Sequence, residues 1–145
     1  MTSDAVLREV TLALPMLPDM EIEASKTATA IAESMHMSPD RIDEVRMAVV
    51  EACINAFEHS RAEEREVYVT FEVLGVNTDP EKLRITVRDT GIGFNPDEQA
   101  EPRIEEKLRS QRKRGWGLRI IRGLMDEVEI HSGSEGTTVV MSKLR

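Results

Sequence analysis

The amino-acid sequence predicts an α/β two-layer sandwich, with helices on one face of a largely antiparallel, mixed sheet. Three observations lead there. The periodic segments run strand, helix, helix, strand, strand, short helix, helix, strand, strand, an order that a single sheet covered on one face accommodates. The two middle strands are separated only by turn-forming residues, which makes them a hairpin. The second helix carries an almost wholly apolar run, the pattern of an element covered by its neighbours.

The elements follow in order. Val10, Leu12 and Leu14 alternate within Val6–Leu14 and stop at Pro15, which reads as a strand. From Asp19 to Met35, residues Ala24, Ala28, Ile31, Ala32 and Met35 recur at helical spacing. Ser38-Pro39-Asp40 opens the next helix with a hydroxyl cap, a proline at the first helical position and an acid in the first turn; that helix should run to Glu58 or His59. Val67, Val69, Phe71 and Val73 share one strand face, and Leu83, Ile85 and Val87 share another, with Gly75, Asn77, Asp79 and Pro80 between them. Asn95–Arg114 holds two prolines, ten or more charged side chains and few large apolar ones, so it is expected to be a mobile segment with one short helix near Ile104–Leu108. A helix is then expected over Gly117–Met125, and strands over Glu127–His131 and Thr137–Leu144 joined by a turn from Ser132 to Gly136.

Size and charge narrow the possibilities. The chain has 145 residues, 40% of them hydrophobic and 32% charged, which suits one domain spanning residues 1–145. Nineteen basic against twenty-seven acidic residues leave a net charge of −8, so direct nucleic-acid binding is not expected, because phosphate neutralisation requires a basic field. A single cysteine, Cys53, excludes an intramolecular disulfide framework. No stretch approaches the roughly 18 apolar residues of a membrane span, and the N-terminal residues lack a signal-peptide pattern. A cytoplasmic protein without a membrane partner is the expectation.

Chemistry concentrates in three windows. In Met47–Phe57, nine of eleven side chains are apolar, and the exceptions are Glu51 and Asn55, four apart, with His59 four further on. At about 100° per residue these three share one stripe of the helix. A carboxylate and an amide among apolar neighbours require partners, and a ligand or metal is a natural one; for His59, near the helix end, a cap or surface role is as good a reading. The second window is Arg88-Asp89-Thr90-Gly91-Ile92-Gly93-Phe94. Alternation puts Asp89 on the face of Leu83, Ile85 and Val87, so a carboxylate ends an apolar row, and the two glycines let the backbone turn close to a ligand. Alone, this could be an ordinary turn after a strand. The third window, Arg112-Lys113-Arg114-Gly115-Trp116-Gly117-Leu118, leads three cations and two glycines into a helix N-terminus, an arrangement suited to an anion. Neither the Walker phosphate loop nor the full dinucleotide fingerprint is present.

Together the windows are far more specific than any one of them. Glu51-x-x-x-Asn55-Ala-x-x-His59, then Asp89-x-Gly91-x-Gly93-Phe94, then Gly115-x-Gly117-Leu118, with a closing Gly136-Thr137-Thr138-Val139, resemble the nucleotide-binding boxes of the GHKL ATPase superfamily. The small size and the phrase Gly-Leu-Met-Asp-Glu-Val after the third window resemble, more narrowly, the anti-sigma factor serine kinases of bacterial partner-switching systems. The resemblance implies a histidine-kinase-type ATPase fold that binds ATP and Mg²⁺. It implies Asn55 as the magnesium ligand, Asp89 as acceptor for the adenine amino group, and Gly91, Gly93 and Thr137 around the adenine. Gly115, Gly117 and Leu118 would approach the phosphates, residues 95–114 would form an ATP lid, and Lys113 or Arg114 would neutralise the γ-phosphate. Glu51 would be the general base. The implied partners are a STAS-domain anti-anti-sigma protein, which is phosphorylated on serine, a sigma factor or similar client, and a second copy of the chain in a homodimer. Two other readings stay open: a nucleotide-gated binding module without catalysis, and the catalytic domain of a sensor histidine kinase. The latter is disfavoured because only about fifty residues precede Glu51.

Overall fold

The computed structural model describes residues 5–59, 66–89, 117–133 and 136–145. Five strands form one sheet in the order β1-β2-β3-β5-β4, and every pairing is antiparallel. The strands are β1 (Ala5–Pro15), β2 (Glu66–Val76), β3 (Asp79–Asp89), β4 (Glu127–Gly133) and β5 (Gly136–Leu144). Helices α1 (Met20–Ser34), α2 (Pro39–His59) and α3 (residues 117–124) complete the described elements.

Local chemistry explains where the helices begin and end. The backbone N–H of Arg41 donates to Ser38 Oγ at 3.3 Å, so Ser38 caps α2 with Pro39 as its first residue. Helix α1 ends in a Schellman arrangement: the Met37 N–H donates to Ala32 O at 3.2 Å and the His36 N–H to Glu33 O at 3.0 Å, with His36 in the left-handed region at φ 63°. His36 is exposed there, at a turn between two helices. The hydroxyls of Ser25, Thr29 and Ser34 donate back to carbonyls within α1 at 2.6–2.8 Å, the mode by which such residues are accommodated inside a helix. Small residues Ala24, Ala28 and Ala32 are fully buried and let α1 lie close to its neighbours.

Strand register organises the inner face of the sheet into rungs. One rung runs Val10, Phe71, Ile85, Met141, Val128, and the next runs Leu12, Val69, Val87, Val139, Ile130. These two are apolar throughout and form the floor on which α1 and α2 pack. The following rung starts apolar with Leu14 and Val67, then becomes polar at Asp89, Thr137 and Ser132. The outer face carries polar cross-strand partners instead. Arg84 makes a two-pronged contact with Glu72 (3.0 and 3.1 Å), Thr11 and Thr70 meet at 3.3 Å, and the Arg88 guanidinium lies 5.3 Å from the centre of the Tyr68 ring.

The expected helix around Ile104–Leu108 lies outside the described residues. Two expectations change. Ser132 and Gly133 belong to β4 and Gly136 to β5, so both strands extend into the segment expected to be a turn. Helix α2 is not covered on all sides: Met47 is 50% exposed, while Ala48, Val49, Ala52, Cys53 and Ala56 are buried. An apolar count does not show which side of a helix its neighbours leave uncovered.

Candidate functional site

The polar rung lies on the sheet face against which α2 packs, and α3 stands against α2. Asn55 is 8% exposed and Glu51, one turn earlier, is half-buried. Gly117, the first described residue of α3, lies against this pair. A methyl group on the Gly117 backbone would sit 3.8 Å from Asn55 Oδ1 and 3.8 Å from Glu51 Oε2. The absence of a side chain at position 117 therefore keeps a small space between the amide, the carboxylate and the α3 backbone. In one place, then, the fold assembles a bare stretch of helix backbone, an amide oxygen and a carboxylate.

The second part of the site is the polar rung. Asp89 is 6% exposed, Thr137 is 7% exposed, and the two are register partners on β3 and β5. Thr137 Oγ1 lies 2.9 Å from Ser132 Oγ on β4. Ser132 belongs to this rung although its sequence context reads as a turn; the available signal is its spacing of two from Ile130, which puts both on one strand face. A carboxylate held at the end of an apolar floor presents a strong acceptor beside apolar surface, which suits a flat, partly apolar group that carries an N–H donor.

Of the other residues singled out from the sequence, Leu118 lies in α3 and is half-buried against the core. Gly91, Gly93, Lys113, Arg114, Gly115 and Trp116 lie outside the described residues, as does the segment 95–114. Among the described residues, no group of three or more His, Cys, Asp or Glu side chains could hold a metal ion. The donor set fits a magnesium ion that keeps waters and phosphate oxygens and takes few protein ligands, because one buried amide oxygen beside a carboxylate is enough for that role. No helix of the described residues is long and apolar enough to cross a membrane.

Comparison with known proteins shows the family and the fold. The profile of the histidine kinase-like ATPase domain matches residues 14–143. Anti-sigma F factors from Bacillus thuringiensis (strain Al Hakam) and Bacillus mycoides (strain KBAB4) are each 32% identical over 137 residues, covering 93% of this chain and 91% of theirs. The crystal structure of the RsbU and RsbW domains of Rv1364c from Mycobacterium tuberculosis superposes with a TM-score of 0.67 at 18% identity, a likeness of fold. That match covers 94% of this chain and 32% of the other, so this chain spans about a third of that longer protein. A profile match over residues 14–143, most of its length, makes this chain a member of the histidine kinase-like ATPase domain family, and membership implies ATP binding.

Proposed function

We propose that the chain is an ATP-dependent protein-serine kinase that acts as an anti-sigma factor. It phosphorylates a serine on a STAS-domain antagonist and sequesters a sigma factor or a similar client. The observation that carries the reading is the convergence of Glu51 and Asn55 on the Gly117 backbone of α3. The identity to anti-sigma F factors over most of both chains supports the choice of partners. In this reading residues 1–145 act as one domain in the cytoplasm, and the free edge of β1 joins a second copy in a homodimer.

Each residue has a stated task. Asp89 accepts a hydrogen bond from the adenine amino group, with Thr137 beside it. Asn55 holds Mg²⁺ through its amide oxygen, and the first N–H groups of α3, reached past Gly117, donate to phosphate oxygens. The metal, when bound, neutralises phosphate charge. Glu51 takes the proton of the incoming serine hydroxyl as that oxygen bonds to the terminal phosphorus and ADP departs. Phosphoryl transfer asks a protein mainly for positioning and charge neutralisation, and this residue set supplies both. Gly91, Gly93, Gly115, Lys113 and Arg114 complete the proposed nucleotide shell.

The test is incubation with γ-labelled ATP, magnesium and a STAS-domain protein, followed by mapping of the label. Phosphoserine on the STAS protein is expected. Saturable ATP binding by calorimetry without any transfer would replace the kinase by a nucleotide-gated binding module.

A further inference from the structure

Lys143 is 5% exposed, and lysines are rarely so buried without partners. It projects from the inner face of β5, next to Leu83 in register, six residues along the same strand face from Thr137. Its ammonium group donates to the backbone carbonyl of Leu124 at 2.6 Å and to Glu44 Oε2 at 3.1 Å. Leu124 is the last residue of α3, and Glu44 lies on α2. One cation therefore ties the carbonyl end of α3 to α2 and to the sheet at once, where the helix dipole also favours positive charge.

The two ends of α3 are in register with α2. Glu44 and Glu51 are seven residues apart on α2, and Leu124 and Gly117 are seven apart on α3. Gly117 faces Glu51 and Asn55 while Leu124 is held at Glu44, so the helices run antiparallel over about 10 Å. A helix is stiff along its axis, so fixing Leu124 fixes where the Gly117 backbone stands. The adjoining backbone reinforces the tie: the Asp126 N–H donates to Ser142 O at 2.9 Å, and the Leu144 N–H donates to Asp126 Oδ2 at 2.7 Å.

We infer that Lys143 is a positioning residue for the nucleotide site, which sets the distance between the Gly117 backbone and the Glu51–Asn55 pair from the Leu124 end of α3. The inference rests on the proposed role of the backbone at Gly117 in holding phosphate. The test uses the full chain, with Mg-ATP affinity measured by calorimetry and steady-state transfer to the STAS protein. Lys143→Met should weaken ATP binding at least tenfold and raise KM for ATP with a smaller change in kcat. Lys143→Arg, which keeps a cation, should recover most of the loss, and Glu44→Gln should give an intermediate one. Ile31→Ala, a core truncation on α1, serves as a control for lowered stability and should leave ATP affinity unchanged. Wild-type affinity in Lys143→Met, or an equal loss in Ile31→Ala, overturns the positioning role while ATP binding stands. Absence of ATP binding in the wild-type chain overturns the nucleotide reading itself, and the inference with it.

Discussion

Gly117→Ala separates stability from ligand binding at a single methyl group. The new carbon would meet Asn55 Oδ1 and Glu51 Oε2 at 3.8 Å each, an ordinary van der Waals separation, so none of the described residues has to move. The backbone of Gly117 is not left-handed; Gly136, at φ 130°, is the positive-φ glycine among the described residues. Alanine is also the better helix former. At a position it can adopt without strain, a glycine-to-alanine change is worth about 0.4–1 kcal/mol, chiefly by restricting the unfolded chain. For a chain of this length that corresponds to a rise in Tm of roughly 1–4 °C. The same methyl occupies the space between the α3 N–H groups and the two side chains, where a phosphate oxygen or its magnesium would have to enter. ATP affinity should fall at least tenfold, about 1.4 kcal/mol. Differential scanning calorimetry and isothermal titration on the same preparation measure both quantities. Unchanged ATP affinity would refute phosphate entry at this point, and a lowered Tm would refute the local geometry.

Three further outcomes follow from residues already placed. Glu51→Ala should leave Mg-ATP binding largely intact and slow transfer by about 10²–10⁴-fold, the usual cost of a lost general base; a single-turnover assay with unchanged rates would remove Glu51 from the chemistry. Asn55→Ala should weaken nucleotide binding chiefly when magnesium is present and much less in chelator, whereas equal weakening in both would assign Asn55 to helix packing. The Cys53 thiol is pushed up to about 12 by burial and, secondarily, by the charge of Glu21. The folded state thus holds this proton more tightly than the unfolded chain does, so the contribution is complete below about pH 9 and is lost as pH rises toward 12, at up to about 1.4 kcal/mol per pH unit. Denaturant titrations at pH 8 and 10 should show a shallower alkaline loss in Cys53→Ala than in wild type, and parallel losses would contradict the burial.

Much of the architecture is legible in short-range pattern. Alternation in Val67–Val73 and Leu83–Val87 identifies both central strands and their shared face, and Ser38-Pro39 marks the start of α2 to the residue. Glu51 and Asn55 stand out because a helical stripe needs only local spacing to be seen. What escapes is whatever depends on pairing between distant segments. Lys143 alternates correctly with Val139 and Met141, yet a lysine near a strand end reads as solvated. Its partners lie 99 and 19 residues away, so nothing nearby announces its burial. Ser132 is missed for a related reason: its chemistry suits a turn, and only the register with Thr137 draws it into a strand. Met47 errs in the other direction, since hydrophobicity alone does not say which side of a helix is left uncovered.

The strand order has a consequence for how the molecule assembles. Strand β5 is inserted between β3 and β4, although β4 precedes it in the chain. During synthesis the hairpin of β2 and β3 is complete early, but the far edge of β3 has no neighbour until residues 136–144 have been made. Strand β4 cannot cover it, because its own register is with β5 alone. For that interval a strand with Leu83, Ile85 and Val87 along one face presents an unsatisfied row of amide groups, the template on which misassembly between chains begins. Closure of the sheet is also a long-range event, joining residues near 85 to residues near 140, and such closures are slow relative to helix formation. The late-arriving strand carries both Thr137 and Lys143, so the strand that seals the edge also brings the register partner of Asp89 and the cation that holds α3.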